Sequence, residues 1–149
     1  MAADDHIITY GTTKTLVNAA GAAISNNAIS AASGTMDTTE QDDYLGVDLA
    51  LTCAFGTNPT AGTAISVIFR PLNIDGTTDA VVPTASYLQT QVGSFFVIAN
   101  TSTNTYQCRV WEVPCREYEV YHYNNGTGQS VSANWTLKAT PFTMRPSAA

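Results

Sequence analysis

The sequence has few charged residues, and this scarcity excludes several classes of protein. Only 12% of the residues are Asp, Glu, Lys or Arg, against roughly 25% in an ordinary soluble domain. Coiled coils and long surface helices need charged side chains on their solvent faces, so neither class fits. Six basic residues against twelve acidic ones give a net charge of −6. The chain therefore lacks the basic surface that DNA or RNA binding requires, and nucleic acid is not an expected partner.

Targeting and catalytic signals are also missing. The chain has no long apolar run, and its acidic start, MAADDHIITYG, is unlike a secretory signal. We therefore expect synthesis in the cytosol and no membrane contact. Three cysteines at irregular spacing fit neither a disulfide framework nor a zinc site, so we expect reduced thiols. Because nucleotide-binding and hydrolase motifs are absent too, the sequence predicts no catalytic residue, no metal site and no cofactor.

The residues that are abundant point to strands. The chain contains 22 threonines, ten serines and ten asparagines among its 149 residues, a composition that favours an all-β protein of one domain. Residues 1–42 are rich in Ala, Thr, Asn and Gly and lack the clear alternation seen from residue 44 onward. We interpret them as an extended or weakly structured N-terminal segment, arm-like, packed on or extending from a β-sandwich domain of residues 43–145.

A strict alternation of apolar and other residues predicts a long half-buried strand over residues 44–55. The inward-facing residues of this strand are Leu45, Val47, Leu49, Leu51, Cys53 and Phe55. Residues 56–62 have the composition of a loop, and the alternation then resumes in Ile65, Val67 and Phe69. We therefore predict a hairpin in which Cys53 lies opposite Ile65.

The C-terminal third predicts three strands that share one apolar face. Two alternating series, Tyr106, Cys108, Val110 and Tyr118, Val120, His122, flank residues 113–115, which we interpret as a turn. In that register Arg109 lies opposite Glu119, a favourable pair of charges. Asn125-Gly126 is a hairpin signal, so we predict a second hairpin around it. In that hairpin Tyr118 lies opposite Trp135, Val120 opposite Ala133 and His122 opposite Val131.

Residues 95–98, with the sequence FFVI, add a further buried strand. Six strands after residue 42, each patterned on one face, predict two sheets packed face to face. This arrangement is a β-sandwich of immunoglobulin-like or jelly-roll topology, and the pattern alone does not choose between the two.

Three groups of reactive residues have a structural interpretation. The predicted register places His122 among apolar residues, which indicates a core histidine rather than a catalytic base or metal ligand. Glu117 and Glu119 have the spacing of a glycosidase pair, but Arg109 lies opposite, so we interpret them as a solvent-facing charged row. Cys108 and Cys115 are roughly 13 Å apart in the predicted hairpin, too far for a disulfide.

Four side chains remain on the outward face of the predicted sheet: Arg109, Trp111, Tyr121 and Tyr123. Such a set forms a protein interface, a platform on which sugars stack, or the underside of another loop of the same chain. A surface with few charges is poorly protected against association. We therefore take these four residues as the candidate interface.

Four runs of the sequence resemble the capsid decoration, or cement, proteins of tailed bacteriophages: YLGVDLALT at 44–52, ISVIFRPLN at 65–73, EVYHYNN at 119–125 and WTLK at 135–138. The resemblance implies a jelly-roll-like sandwich on the outside of the phage head, present as a dimer or trimer. There it would clamp adjacent subunits of the major capsid protein, after assembly in the host cytoplasm. The resemblance carries no catalytic residues.

A carbohydrate-binding or receptor-binding β-sandwich is the alternative. In it Trp111, Tyr121 and Tyr123 would stack on sugar rings. The same alternative includes a component of the phage tail or baseplate.

Overall fold

The computed structural model describes residues 6–146. Strands are the main regular structure in it, as the sequence predicted. A four-residue helix, α1 (Thr38–Gln41), is preceded by Asp37, whose carboxylate accepts a hydrogen bond from the backbone N–H of Thr39 as an N-cap. The described strands are β1 (His6–Tyr10), β2 (Lys14–Val17), β3 (Thr35–Met36), β4 (Gly46–Cys53), β5 (Ala64–Pro71), β6 (Gln91–Phe96), β7 (Asn104–Val110), β8 (Tyr118–Asn125) and β9 (Thr136–Pro146).

The strands form two antiparallel sheets that pack face to face. In the first sheet, β1 and β2 both pair with one edge of β9, and β4 and β7 follow in that order. The second sheet has the order β3, β8, β5, β6. From β2 onward, every connection except β5–β6 therefore crosses from one sheet to the other. Because β1 and β2 share one place beside β9, the nine strands fill the eight strand positions of a jelly roll. The all-β sandwich is confirmed, and the strand order selects the jelly roll over the immunoglobulin-like topology.

The alternation correctly predicted which side chains face the core. Buried as predicted are Val47, Leu49, Leu51, Cys53, Phe55, Ile65, Val67, Phe69, Tyr106, Cys108, Val110, Tyr118, Val120, His122, Val131, Trp135 and Leu137. Each fully buried Leu, Val, Ile or Phe contributes about 1.5–3 kcal/mol relative to exposure. Since the residues come from both sheets, their burial holds the sandwich together.

Four apolar residues that the sequence predicted as buried are exposed. Leu45 lies before the first residue of β4, and Ala133 lies in the loop that precedes β9. Phe96 and Ile98 point away from the core while Phe95 and Val97 point into it. Residues 95–98 are therefore buried on one face only.

All three predicted strand pairings are wrong. The strand that contains Cys53 pairs with β7 and β9, whereas the strand that contains Ile65 pairs with β6 and β8. Likewise β7 and β8 belong to different sheets, as do β8 and β9. Two strands in opposite sheets show the same alternation of inward apolar residues as two strands that pair in one sheet. The alternation therefore does not distinguish the two arrangements.

The described part of the N-terminal segment, residues 6–42, runs along the edges of both sheets. Leu16, Ile24 and Met36 of this segment are buried in the shared core. The indole Nε1 of Trp135 donates a hydrogen bond to the carbonyl of Ala22 at 2.8 Å, which fastens the segment to the start of β9. Within residues 6–146 the structure has no helix with the length and hydrophobicity that a membrane crossing requires.

Candidate functional site

The structure divides the four residues of the candidate interface between the two sheets. Arg109 lies on β7 and Trp111 directly follows that strand, on the outer face of the first sheet. Tyr121 and Tyr123 lie on β8, in the second sheet. The expected single outward set is therefore wrong as a geometric unit, because the hairpin that would have joined the two strands does not exist.

The outer face of the first sheet places an arginine between a carboxylate and a tyrosine. Arg109 lies opposite Asp48 in the β4–β7 register, and its Nε and Nη2 each donate to an Asp48 carboxylate oxygen at 2.6 Å. The same Nη2 is 2.9 Å from the hydroxyl of Tyr10, to which it also donates. Hydrogen bonds to Asp48 are the main reason that the pKa of Arg109 is raised. The guanidinium is therefore a permanently charged and firmly held group.

Aromatic rings surround this guanidinium. Its central carbon lies 5.1 Å from the ring centre of Trp111 and 4.6 Å from that of Phe142, within the range of cation–π attraction. Trp111 meets Phe142 edge to face at 5.7 Å. Gly46 makes room for Phe142, since a Cβ at that position would collide with the ring. We call these residues, Tyr10, Asp48, Arg109, Trp111 and Phe142, the arginine–aromatic cluster.

Sequence reasoning found Arg109 and Trp111 but missed Tyr10 and Phe142. Tyr10 belongs to the segment interpreted as an arm, and it reaches the cluster because β1 pairs with the end of β9. Its register partner there is Phe142. The local sequence around Tyr10 carries no signal of this position, because the contact depends on a strand more than 130 residues away in the chain.

An open hollow of about 370 Å³ adjoins the cluster on the same face. Ala50 lies in this hollow, on the central strand β4, between Gln107 of β7 and Lys138 of β9 in the register. A methyl group between two longer side chains leaves a depression in the sheet surface. The hollow is lined by polar and aromatic groups that include Tyr10, Asp48, Thr105, Gln107 and Thr140.

The outer face of the second sheet is closed instead. The Tyr121 hydroxyl donates to the Glu119 carboxylate at 3.2 Å, and Arg70 donates to the same carboxylate at 3.1 Å. Arg70 also donates to the carbonyl of Ala80 at 2.8 Å, from the loop 72–90. The predicted pairing of Arg109 with Glu119 is therefore wrong, and Tyr121 is a buried internal contact rather than an exposed platform. Tyr123 is half-buried.

Exposed apolar side chains lie at both ends of the sandwich. Leu45, 55% exposed, borders an open cleft of about 470 Å³ whose walls include Tyr44, Val113 and Pro114. Leu45 lies just before β4, at the end of the sandwich where β7 finishes with Val110 and β8 begins with Tyr118. Tyr118 pairs with Pro71, so β5 also finishes at this end. Phe96, 70% exposed, pairs with Ala64, the first residue of β5, and so lies at the opposite end with Ile98.

His122 lies in the core, as the sequence predicted. Its ring meets the Trp135 ring edge to face at 5.1 Å and is 5.9 Å from the Phe95 ring centre. Neither ring nitrogen has a hydrogen-bond partner among the described residues. Burial alone lowers its pKa to about 4. The ring is therefore neutral at pH 7 and is out of reach of a substrate.

Two of the cysteines are poorly reactive for the same physical reason, burial. Burial raises the pKa of the Cys53 thiol to about 12 and that of the Cys115 thiol to about 11. Since the thiolate is the nucleophile, both are poor candidates for covalent chemistry at neutral pH. Across residues 6–146, no group of three or more His, Cys, Asp or Glu side chains is placed to hold a metal ion.

No protein-family model, curated protein or solved structure matches the chain.

Proposed function

We propose that the protein is a structural virion protein that binds the outside of a tailed-bacteriophage head and cements adjacent subunits of the major capsid protein. The observation that carries the proposal is the pair of docking ends with exposed apolar side chains, which we define as Leu45 with its cleft and Phe96 with Ile98. A protein that holds two neighbours together needs two separate contact surfaces. A free-standing carbohydrate-binding or catalytic domain needs only one.

The distribution of charge supports the same function. Within residues 6–146, four of the six basic side chains form ion pairs: Lys14 with Glu40, Arg70 with Glu119, Arg109 with Asp48 and Arg116 with Asp42. These pairs leave little basic charge for an outside partner, and the exposed apolar side chains at the two ends are available to supply affinity.

Weak contacts at the two ends are enough to stabilise an assembled head. A ligand that binds only the assembled state stabilises it by mass action, and many copies on one head add their effects. A contact of modest affinity at each end therefore protects the shell against internal pressure. Self-association as a dimer or trimer would raise the number of contacts further.

The test is binding to expanded heads of the phage, prepared without this protein, followed by heating the heads until DNA is released. We expect the wild-type protein to sediment with the heads and to raise the release temperature. Leu45→Ser and Phe96→Ser should each weaken binding by about tenfold or more, and the double variant should not protect the heads. Failure of the wild-type protein to bind heads would contradict the proposal.

Val81→Ser is the matched control, because Val81 is as exposed as Phe96 but lies on the loop 72–90, outside both docking ends. It should bind and protect heads like the wild type. Immunogold labelling of intact particles gives an independent readout. Labels on the tail or baseplate rather than the head would replace the cement function by the tail alternative.

A further inference from the structure

We propose that the hollow on the outer face of the first sheet binds a neutral saccharide. This site lies on a different part of the surface from the two docking ends. It does not depend on the cement function, and it uses residues other than the Trp111, Tyr121 and Tyr123 platform predicted from the sequence.

Two neutral hydroxyls of the hollow are held in place by hydrogen bonds. The Thr105 hydroxyl is 2.8 Å from the Thr52 hydroxyl, and the Thr140 hydroxyl is 2.8 Å from that of Thr13. Each hydroxyl of such a pair keeps further donor or acceptor capacity. Together with the amide of Gln107 they offer donors and acceptors side by side, which is what the hydroxyls of a sugar require. Because the two threonine hydroxyls are already paired on the sheet, little ordering of these side chains is needed when a ligand binds.

Tyr10 supplies the apolar wall. Its side chain is 51% exposed, and its hydroxyl is fixed by Arg109 at 2.9 Å. Its ring is also packed against that of Phe142, with 6.3 Å between ring centres. A tyrosine that is anchored on one side and open on the other combines apolar contact area with a polar tip. The C–H face of a pyranose ring can pack on that area.

The charge of the hollow selects a neutral ligand. Asp48 is its acidic group, and both oxygens of that carboxylate are already engaged by Arg109. Lys138, the register partner of Ala50, flanks the depression but is not one of the residues that line the hollow. An anionic ligand would normally be held by arginine or lysine donors. The lining therefore matches a neutral saccharide better than a sialylated, sulfated or phosphorylated one.

The experiment is a glycan array that carries neutral and acidic oligosaccharides, followed by calorimetric titration of the best neutral ligand. We expect binding to neutral glycans. Tyr10→Ala should weaken it by about tenfold or more, and Gln107→Ala should weaken it several-fold. Tyr10→Phe keeps the ring and should retain most of the affinity. Tyr87→Ala, which removes another exposed tyrosine on the loop 72–90, should bind like the wild type.

Three outcomes would overturn the proposal: no binding to any neutral glycan, binding to acidic glycans only, or unchanged affinity in both Tyr10→Ala and Gln107→Ala. The Gln107 variant serves as a second test, because Gln107 lies on β7 and its replacement does not disturb β1, which the Tyr10 variant could locally unfold. Head binding separates this inference from the cement function. If Tyr10→Ala and Gln107→Ala lose head binding and no glycan binds, the face is a protein contact and only the saccharide site fails.

Discussion

The outer faces of the two sheets carry the same three kinds of side chain but in different surroundings. On the first sheet the trio is Arg109, Asp48 and Tyr10, and on the second it is Arg70, Glu119 and Tyr121. Tyr10 is 51% exposed, whereas Tyr121 is only 5% exposed. Equal composition therefore gives an open surface in one sheet and a buried contact in the other.

One long connection ties the second trio to neighbouring backbone. The loop 72–90 returns to β5, where Arg70 donates to the Ala80 carbonyl and Phe69 donates its backbone N–H to the Thr90 carbonyl. The described residues contribute no comparable loop to the hollow on the first sheet, which stays open beside Ala50. The second trio is thus held against neighbouring backbone through Arg70, whereas Tyr10 of the first trio keeps an exposed side next to the hollow.

Tyrosine truncation provides the largest contrast between the two faces. We expect Tyr121→Ala to lower the free energy of unfolding by about 3 kcal/mol, because a nearly fully buried ring is lost and a cavity remains. Tyr10→Ala should cost about 1 kcal/mol or less, since half of its side chain is already in water. Urea unfolding of both variants measures the difference. Equal losses would show that the second face is no more closed than the first.

Acid unfolding contrasts the core with both faces. The pKa of His122 is about 4 in the folded protein against about 6.5 in an unfolded chain. Between these two values His122 is protonated in the unfolded chain but not in the folded protein. The free energy of unfolding therefore falls as the pH drops from about 6.5 towards about 4. From that difference we expect a loss of about 3 kcal/mol at and below about pH 4.

Unfolding curves at several pH values measure this loss. His122→Phe removes the titrating group and should flatten the dependence between about pH 6.5 and about pH 4. Tyr10→Phe, on the outer face, should leave the dependence unchanged. A wild-type curve that is flat in this window would contradict the assignment to His122.

The smallest effect concerns the ion pairs. A double-mutant cycle on Arg109 and Asp48 should give a coupling energy of about 1 kcal/mol, because the pair is bidentate and half-buried. The Arg116–Asp42 pair is exposed and should show weaker coupling that disappears at high salt. Equal couplings for the two pairs would mean that packing against Trp111 and Phe142 adds nothing to the Arg109 pair.

The sequence predicted the inward residues well and the neighbours of each strand badly. Val67 and His122 are inward as predicted, and they are register partners in adjacent strands that were not predicted to pair. The predicted partner of His122 was Val131, which lies on a segment bridged to Ile24 and Phe55 instead. Side-chain alternation is a property of a single strand, whereas pairing depends on which connections cross the core.

The candidate site shows the same limit. Arg109 and Trp111 stand close together in the sequence, and local alternation was enough to place Arg109 outward. Tyr10 and Phe142 joined them only because β1 and β9, from opposite ends of the chain, pair with each other. Tyr121 was predicted outward and does face outward, but its burial depends on its surroundings in the folded second sheet.

By itself, the sequence determined an all-β sandwich, its inward faces and its charge-poor surface, because alternation and composition act through local geometry and the solvation of each residue. Only the tertiary structure decided the jelly-roll order, the division of the aromatic residues between two faces, and which arginine trio stays open. Those features depend on contacts between segments far apart in the chain. The free energy of such contacts comes from packing and pairing that no local pattern records.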